Sequence, residues 1–337
     1  MRSVVSCAIV LLCLVPVVNA QDQPTNGALY TLDKQHSLLD FTARHIGFGR
    51  VRGTFKQYRA AAFLVPEDIE QTTFTATIEV HSIDTGAEGR DGILKNEFFD
   101  AENHPYILFQ STRLEKRDDG FLVTGSLTMR DVTKEVQIPV RVITLDGQDQ
   151  WQHKRIVLEG ELRVNRKDFN LIYDNDFWDA IVDDEIRIDI SFGARHYNAL
   201  NTIFPWRDNG IGTVIRKTTA EAGFEAARQR VRDLWENHRT DYHFKGIYRQ
   251  WPSSFYRAGI AFAQEGKFEE AIGVFNLALE IHKASDDPQY IADLYAYRGQ
   301  VFMMAGQADK AEESLNTALA HDAHNPVALE LMRHVRD

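Results

Sequence analysis

Thr73-Phe74-Thr75-Ala76-Thr77-Ile78-Glu79-Val80 alternates without a break, with Phe74, Ala76, Ile78 and Val80 on one face. Residues 134–142 repeat the pattern through Val136, Ile138, Val140 and Val142. Residues 185–192 do so through Ile186, Ile188, Ile190 and Phe192. A period of two over such lengths makes half-buried antiparallel strands. Between residues 30 and 195 no helix-period segment separates these runs, which favours a sandwich or barrel over βαβ units. Residues 90–102 are the exception and read as an irregular or short helical crossover. The region is rich in phenylalanine: Phe41, Phe48, Phe55, Phe63, Phe74, Phe98, Phe99 and Phe109. An eight-stranded barrel can enclose one small ligand or fill itself with side chains, and the pattern alone leaves both open.

The chain has 337 residues, long for one domain, so two are expected. Residues 1–20 read as an export leader. Arg2 gives a positive start, residues 4–18 are almost wholly apolar, and Val18-Asn19-Ala20 sets small residues before a cleavage after Ala20. The apolar run is too short for a spanning helix, and no later segment approaches the roughly 20 apolar residues one needs. An exported protein that does not span the membrane is expected, in the periplasm or the medium. Both cysteines, Cys7 and Cys13, lie in the leader, so disulfides, thiolate metal sites and a cysteine nucleophile are excluded after cleavage. Leu12 before Cys13 argues against a lipid anchor. A net charge of −11 disfavours nucleic acid and anionic membrane surfaces as partners.

Residues 198–215 contain Pro205, Gly210 and Gly212 and lose all periodicity, which places a linker at 197–217. Beyond it the period becomes helical. Phe224, Ala227, Val231 and Leu234 make one helix face, with Thr218 or Thr219 as its cap. A repeat follows: Gly259, Gly266, Ala271, Phe275, Ala278 and Leu279 recur 40 residues later as Gly299, Gly306, Ala311, Leu315, Ala318 and Leu319. Small residues at fixed offsets let antiparallel helices approach, and large ones fill the gaps. Two repeats are fewer than a free-standing solenoid needs, so the preceding helix or the barrel is expected to cover an end. Residues 327–335 would form a short closing helix.

Catalytic signals are absent. His36, His45, His81 and His104 lack the i, i+4 spacing of zinc hydrolases. No Gly-x-Ser-x-Gly elbow or phosphate-binding glycine loop occurs. Asp174, Asp176, Asp179, Asp183 and Asp184 lack calcium-loop spacing and read as a solvated turn. Arg90-Asp91 either pins a loop or sets Arg90 at a barrel mouth to meet a charged head group. No catalytic residue, metal or cofactor is expected.

Ordered landmarks point to a family. They run from Asp33 and His36-Ser37 through Gly53 and Phe55, Ser82-Ile83-Asp84-Thr85, Arg90-Asp91, Phe98-Phe99-Asp100 and His104-Pro105. Phe109-Gln110-Ser111, Gly125-Ser126-Leu127-Thr128, Val132-Thr133-Lys134, Asn165-Arg166-Lys167-Asp168-Phe169 and Asp184-Glu185-Ile186 follow. Together they resemble the YceI family of exported lipocalin-like proteins. Asn170 and Arg130 depart from the family, which usually has glycine there. The resemblance implies an antiparallel barrel around an elongated apolar cavity that binds a polyisoprenoid or similar amphipathic lipid, in some members a quinone-like molecule. The helical half resembles the tetratricopeptide-bearing tail found behind some exported hydrolases, and such repeats present a concave face to a protein partner.

The expectation is therefore an all-β antiparallel lipocalin-like barrel over residues 28–196 and a separate all-α tetratricopeptide-like domain over 218–337. Candidate ligand-binding residues are Phe41, Phe55, Phe74, Ile78, Arg90, Phe98, Phe99 and Phe109. The competing reading is an envelope interaction scaffold whose barrel binds nothing.

Overall fold

The structure, a computed structural model, describes residues 27–150, 152–196, 210–242, 244, 254–283, 285 and 287–336. The leader and residues 197–209 of the expected linker lie outside them. The strands are β1 Ala28–Leu32, β2 Leu38–His45, β3 Gly49–Phe55, β4 Tyr58–Leu64, β5 Thr73–Glu79, β6 Ile83–Asp84, β7 Tyr106–Arg117, β8 Gly120–Met129, β9 Val132–Gln148, β10 Lys154–Asn165 and β11 Val182–His196. All pair antiparallel. The order β1-β4-β5-β7-β8-β9-β10-β11 closes through β1 with β11, while β2 pairs β11 and β3 in turn. In effect β1 and β2 are one strand broken at residues 33–37, and β3 and β4 one strand bent at Lys56-Gln57. The result is an eight-stranded barrel, in which closure removes the unpaired edges an open sheet would expose.

The break between β1 and β2 is held by charge. The Asp33 carboxylate accepts from Arg155, from Arg195 Nη2 at 2.5 Å and from His36 Nδ1 at 2.9 Å. Burial works to raise this carboxyl, but the Arg195 charge and the arginine hydrogen bonds outweigh it and bring it down to about 2. Ser37 Oγ accepts from Gly193 N at 2.9 Å and donates to Asp33 O, fastening the break to β11.

Register confirms the inward faces. Tyr58 opposes Ile78, Ala60 opposes Ala76, and Ala76 opposes Phe109. Val136, Ile138 and Val140 oppose Gly125, Val123 and Phe121. The crossover is α1 Glu88–Ile93 followed by a π-turn, Leu94–Phe98, and a short helix, α2 Asp176–Ala180, precedes β11. Asn170, at φ 55°, and Arg130, at φ 53°, both adopt the left-handed backbone that glycine usually supplies.

The helical region comprises α3 Ile211–Ala222, α4 Phe224–Asn237, α5 Ser254–Gln264, α6 Phe268–Ile281, α7 Pro288–Met304, α8 Ala308–His321 and α9 Pro326–Met332. The linker reading fails from Ile211 onward: α3 occupies that stretch and buries Ile211 and Ile215. Gly212 is there for contact, since a Cβ would fall 2.4 Å from Ser254 O. Thr218 and Thr219 lie inside α3 and cap nothing; Gly223, at φ 87°, separates α3 from α4. The repeat recurs in three dimensions. A Cβ on Gly259 would meet the Phe275 ring at 2.5 Å, and one on Gly299 would meet Leu315 at 2.7 Å.

The helices lie against the barrel's outer wall. Leu29, Ala61 and Phe63 share one apolar cluster with Ala292, Ala296, Leu315, Val327, Ala328 and Leu331. The polar face of β5 is covered rather than solvated. The buried Glu330 carboxylate accepts from Thr73 and, at 2.5 Å, from Thr75 Oγ1, and Thr77 Oγ1 donates to His324 O at 2.8 Å. Arg59 pairs with Asp322 at 2.7 Å, and Arg333 Nη2 donates to Ser111 O at 2.7 Å. Of the two expected covers for the repeat ends, both occur: α3 and α4 on one side, the barrel on the other.

Candidate ligand cavity

Eight strands leave an interior void of about 460 Å³, inside the ~300–1,000 Å³ range of small-molecule sites. All eight residues singled out from the sequence, Phe41, Phe55, Phe74, Ile78, Arg90, Phe98, Phe99 and Phe109, border it. Their rings form offset and edge contacts: Phe41–Phe55 at 5.7 Å and 48°, Phe55–Phe99 at 6.3 Å and 83°. Glycine makes room for this aromatic wall. Phe41 lies directly across from Gly53, where a Cβ would sit 2.3 Å from its ring, and Gly125 accommodates Phe109 in the same way. Phe74, Ala76, Phe109, Ile186, Ile188 and Ile190 point inward yet are only half-buried. Inward side chains of a filled barrel would be fully buried, so their accessible surface faces the void.

Phe48 and Phe63 fall outside this lining. Phe48 is 85% exposed. Phe63 points outward and stacks on His334, with ring centres 4.1 Å apart.

Arg90 and Asp91 both hold Thr85. Arg90 Nε donates to Thr85 Oγ1 at 2.8 Å and its Nη2 to Thr85 O at 3.0 Å. Asp91 accepts from Thr85 N at 2.9 Å and Thr85 Oγ1 at 2.5 Å. The pair thus pins the loop and still leaves the exposed Arg90 side chain at the cavity's end.

Tyr58 and Arg166 are among the polar lining groups that escaped the sequence reading. Tyr58 borders the cavity, and its buried hydroxyl has no hydrogen-bond partner among the described residues. Burial, and secondarily the Asp40 charge, push its ionisation well above the ordinary tyrosine range, so it remains a neutral donor. Arg166, 1% exposed, also borders the cavity. It donates to Asp179 Oδ1 at 2.5 Å and to the carbonyls of Leu171 at 2.8 Å and Asp179 at 2.9 Å. The acidic run is therefore more than a solvated turn: the Arg166 hydrogen bond holds the Asp179 carboxyl far below the usual range. The Asn165–Phe169 motif marked this position without disclosing its role.

A YceI-like domain matches residues 30–194. Protein YceI of Salmonella arizonae is 33% identical over 150 residues, covering 44% of this chain and 78% of that protein. Protein YceI of Salmonella agona matches to the same extent. Among solved structures, BcnA of Burkholderia cenocepacia is 25% identical with a TM-score of 0.43, covering 48% of this chain and 98% of its own. A polyisoprenoid binding domain from Saccharophagus degradans, implicated in plant cell wall breakdown, is 13% identical with a TM-score of 0.40, covering 50% of this chain and 98% of its own. On the identity and coverage of the Salmonella proteins, this chain belongs to the YceI-like family.

Proposed function

We propose that the protein is an exported lipid carrier that holds a polyisoprenoid or similar amphipathic lipid inside the barrel, tail inward. The observation that carries this reading is the void itself, walled by phenylalanines and β-branched residues whose free surface faces inward. Each CH₂ taken from water contributes about 0.8 kcal/mol, so a long tail needs few polar contacts. Tyr58 and Arg90 are the groups we assign to the head end. The reading makes the barrel a carrier and gives it no catalytic step. The helix pairs, with Gly259 against Phe275 and Gly299 against Leu315, support a tetratricopeptide-like unit, and we assign it the docking of a protein partner in the cell envelope. The test is gentle purification followed by solvent extraction and mass spectrometry. A prenyl-type lipid in stoichiometric amount is the expected result; a barrel that retains none, and takes up none when offered, sinks the reading.

A further inference from the structure

We infer that the cavity-bearing end of the barrel docks on a phospholipid surface carrying anionic head groups. Among the described residues, seven large apolar side chains are exposed, and five of them sit around this one end: Ile46, Phe48, Ile93, Ile172 and Phe177. Isolated exposed apolar residues are ordinary, whereas a cluster around an opening marks an interaction site. Hydrogen bonds tie the five into two groups, which Arg166 joins by donating to Leu171 O, beside Ile172, and to Asp179 O, two residues after Phe177. Ile46 N donates to Ile181 O at 2.7 Å, joining the β2–β3 hairpin tip to the segment after α2. Arg130 Nη1 donates to Asn170 O at 2.7 Å and lies 3.4 Å from Phe98 O, drawing the loop of Ile172 to the turn that follows Ile93.

The hairpin tip is built against its own stability. Ile46 has φ 54°, a left-handed conformation unfavourable to a β-branched side chain. Arg44 and Arg50 face each other directly across the hairpin, both exposed, and neither has a carboxylate partner among the described residues. Like charges opposite one another destabilise a strand pair. Apolar tips sinking below the head groups, with the two arginines at phosphate level, turn both liabilities into contacts. Arg44 and Arg90 also border the cavity, so it reaches the surface inside this ring. A bilayer fits better than a protein partner: the tips stand on separate short segments that can each insert, and a lipid then enters the cavity without crossing water.

The chain's net −11 opposes an anionic surface at long range, but that field is screened within ~8 Å in physiological salt. Asp174 and Asp176 closely precede Phe177 at the start of α2, so the attraction falls on the hairpin side.

The experiment is co-flotation of the full chain with vesicles of phosphatidylcholine alone, or mixed equally with phosphatidylglycerol. Binding to the mixed vesicles is expected. Ile46→Asn combined with Phe48→Ser should lower it at least about ten-fold, from the apolar area lost. The same variant should melt no lower than wild type, because Asn accepts the left-handed turn that Ile resists. Arg44→Gln with Arg50→Gln should weaken binding to the mixed vesicles and leave binding to neutral ones unchanged. The inference is overturned if the wild type floats with neither vesicle, if the tip variant binds as wild type does, or if the arginine variant loses both equally. These outcomes are independent of whether extraction yields a bound lipid, so cargo and docking fail separately.

Discussion

Ala76→Trp tests whether the void itself binds the ligand. Ala76 points inward from β5, between Ala60 on β4 and Phe109 on β7, and it borders the 460 Å³ cavity. An indole there occupies about the space of one five-carbon isoprene unit. At ~0.8 kcal/mol per CH₂, excluding that unit removes about 4 kcal/mol, or roughly a thousand-fold in Kd. The fold should tolerate the change, because the ring enters empty space; overpacking costs its usual ~1–3 kcal/mol only where no room exists. The assay is titration with a fluorescent prenyl probe, with thermal unfolding as the control for folding. Glu135→Trp on the exposed outer face of β9 is the matched variant and should bind as wild type does. If Ala76→Trp folds normally and binds within about three-fold of wild type, the ligand does not occupy the cavity and the reasoning is refuted.

Two further outcomes concern the wall shared with the helices. Glu330→Ala strips the Thr73 and Thr75 hydroxyls of their buried acceptor and should cost about 3 kcal/mol, read by denaturant midpoint together with faster proteolytic release of the helical region; an unchanged midpoint would show that the carboxylate is not a fastening. Burial raises the Asp293 carboxyl to about 6, so its contribution is present below its unfolded value near 3.8 and is lost as pH rises through 6. Burial lowers His153 to about 4, so its contribution is present above 6.5 and lost as pH falls through 4, opposing Asp293 across that window. Asp293→Asn removes one side of the balance. The stability difference between wild type and variant should move by about 2–3 kcal/mol between pH 4 and pH 6, and superimposable pH profiles would count against the assignment.

The sequence marked the inward faces of β5, β9 and β11, because a side-chain period of two is a local property of a regular strand. It also marked the Arg90-Asp91 pin, whose partner Thr85 is close in sequence, and the aromatic wall and the repeated glycines, which meet their partners across a neighbouring strand or helix. It misplaced α3, because Gly212 looks like a breaker until Ser254 is seen packed upon it. It was silent on the outer face of β5. Alternation tells Thr73, Thr75 and Thr77 from Phe74 and Ile78, but not whether those hydroxyls meet water or a carboxylate about 255 residues away. Nor could it tell a void from a filled core. That depends on the barrel's circumference and on how far phenylalanines over Gly53 and Gly125 reach inward. Tertiary structure alone set these, since they arise where many strands meet and no one segment carries them.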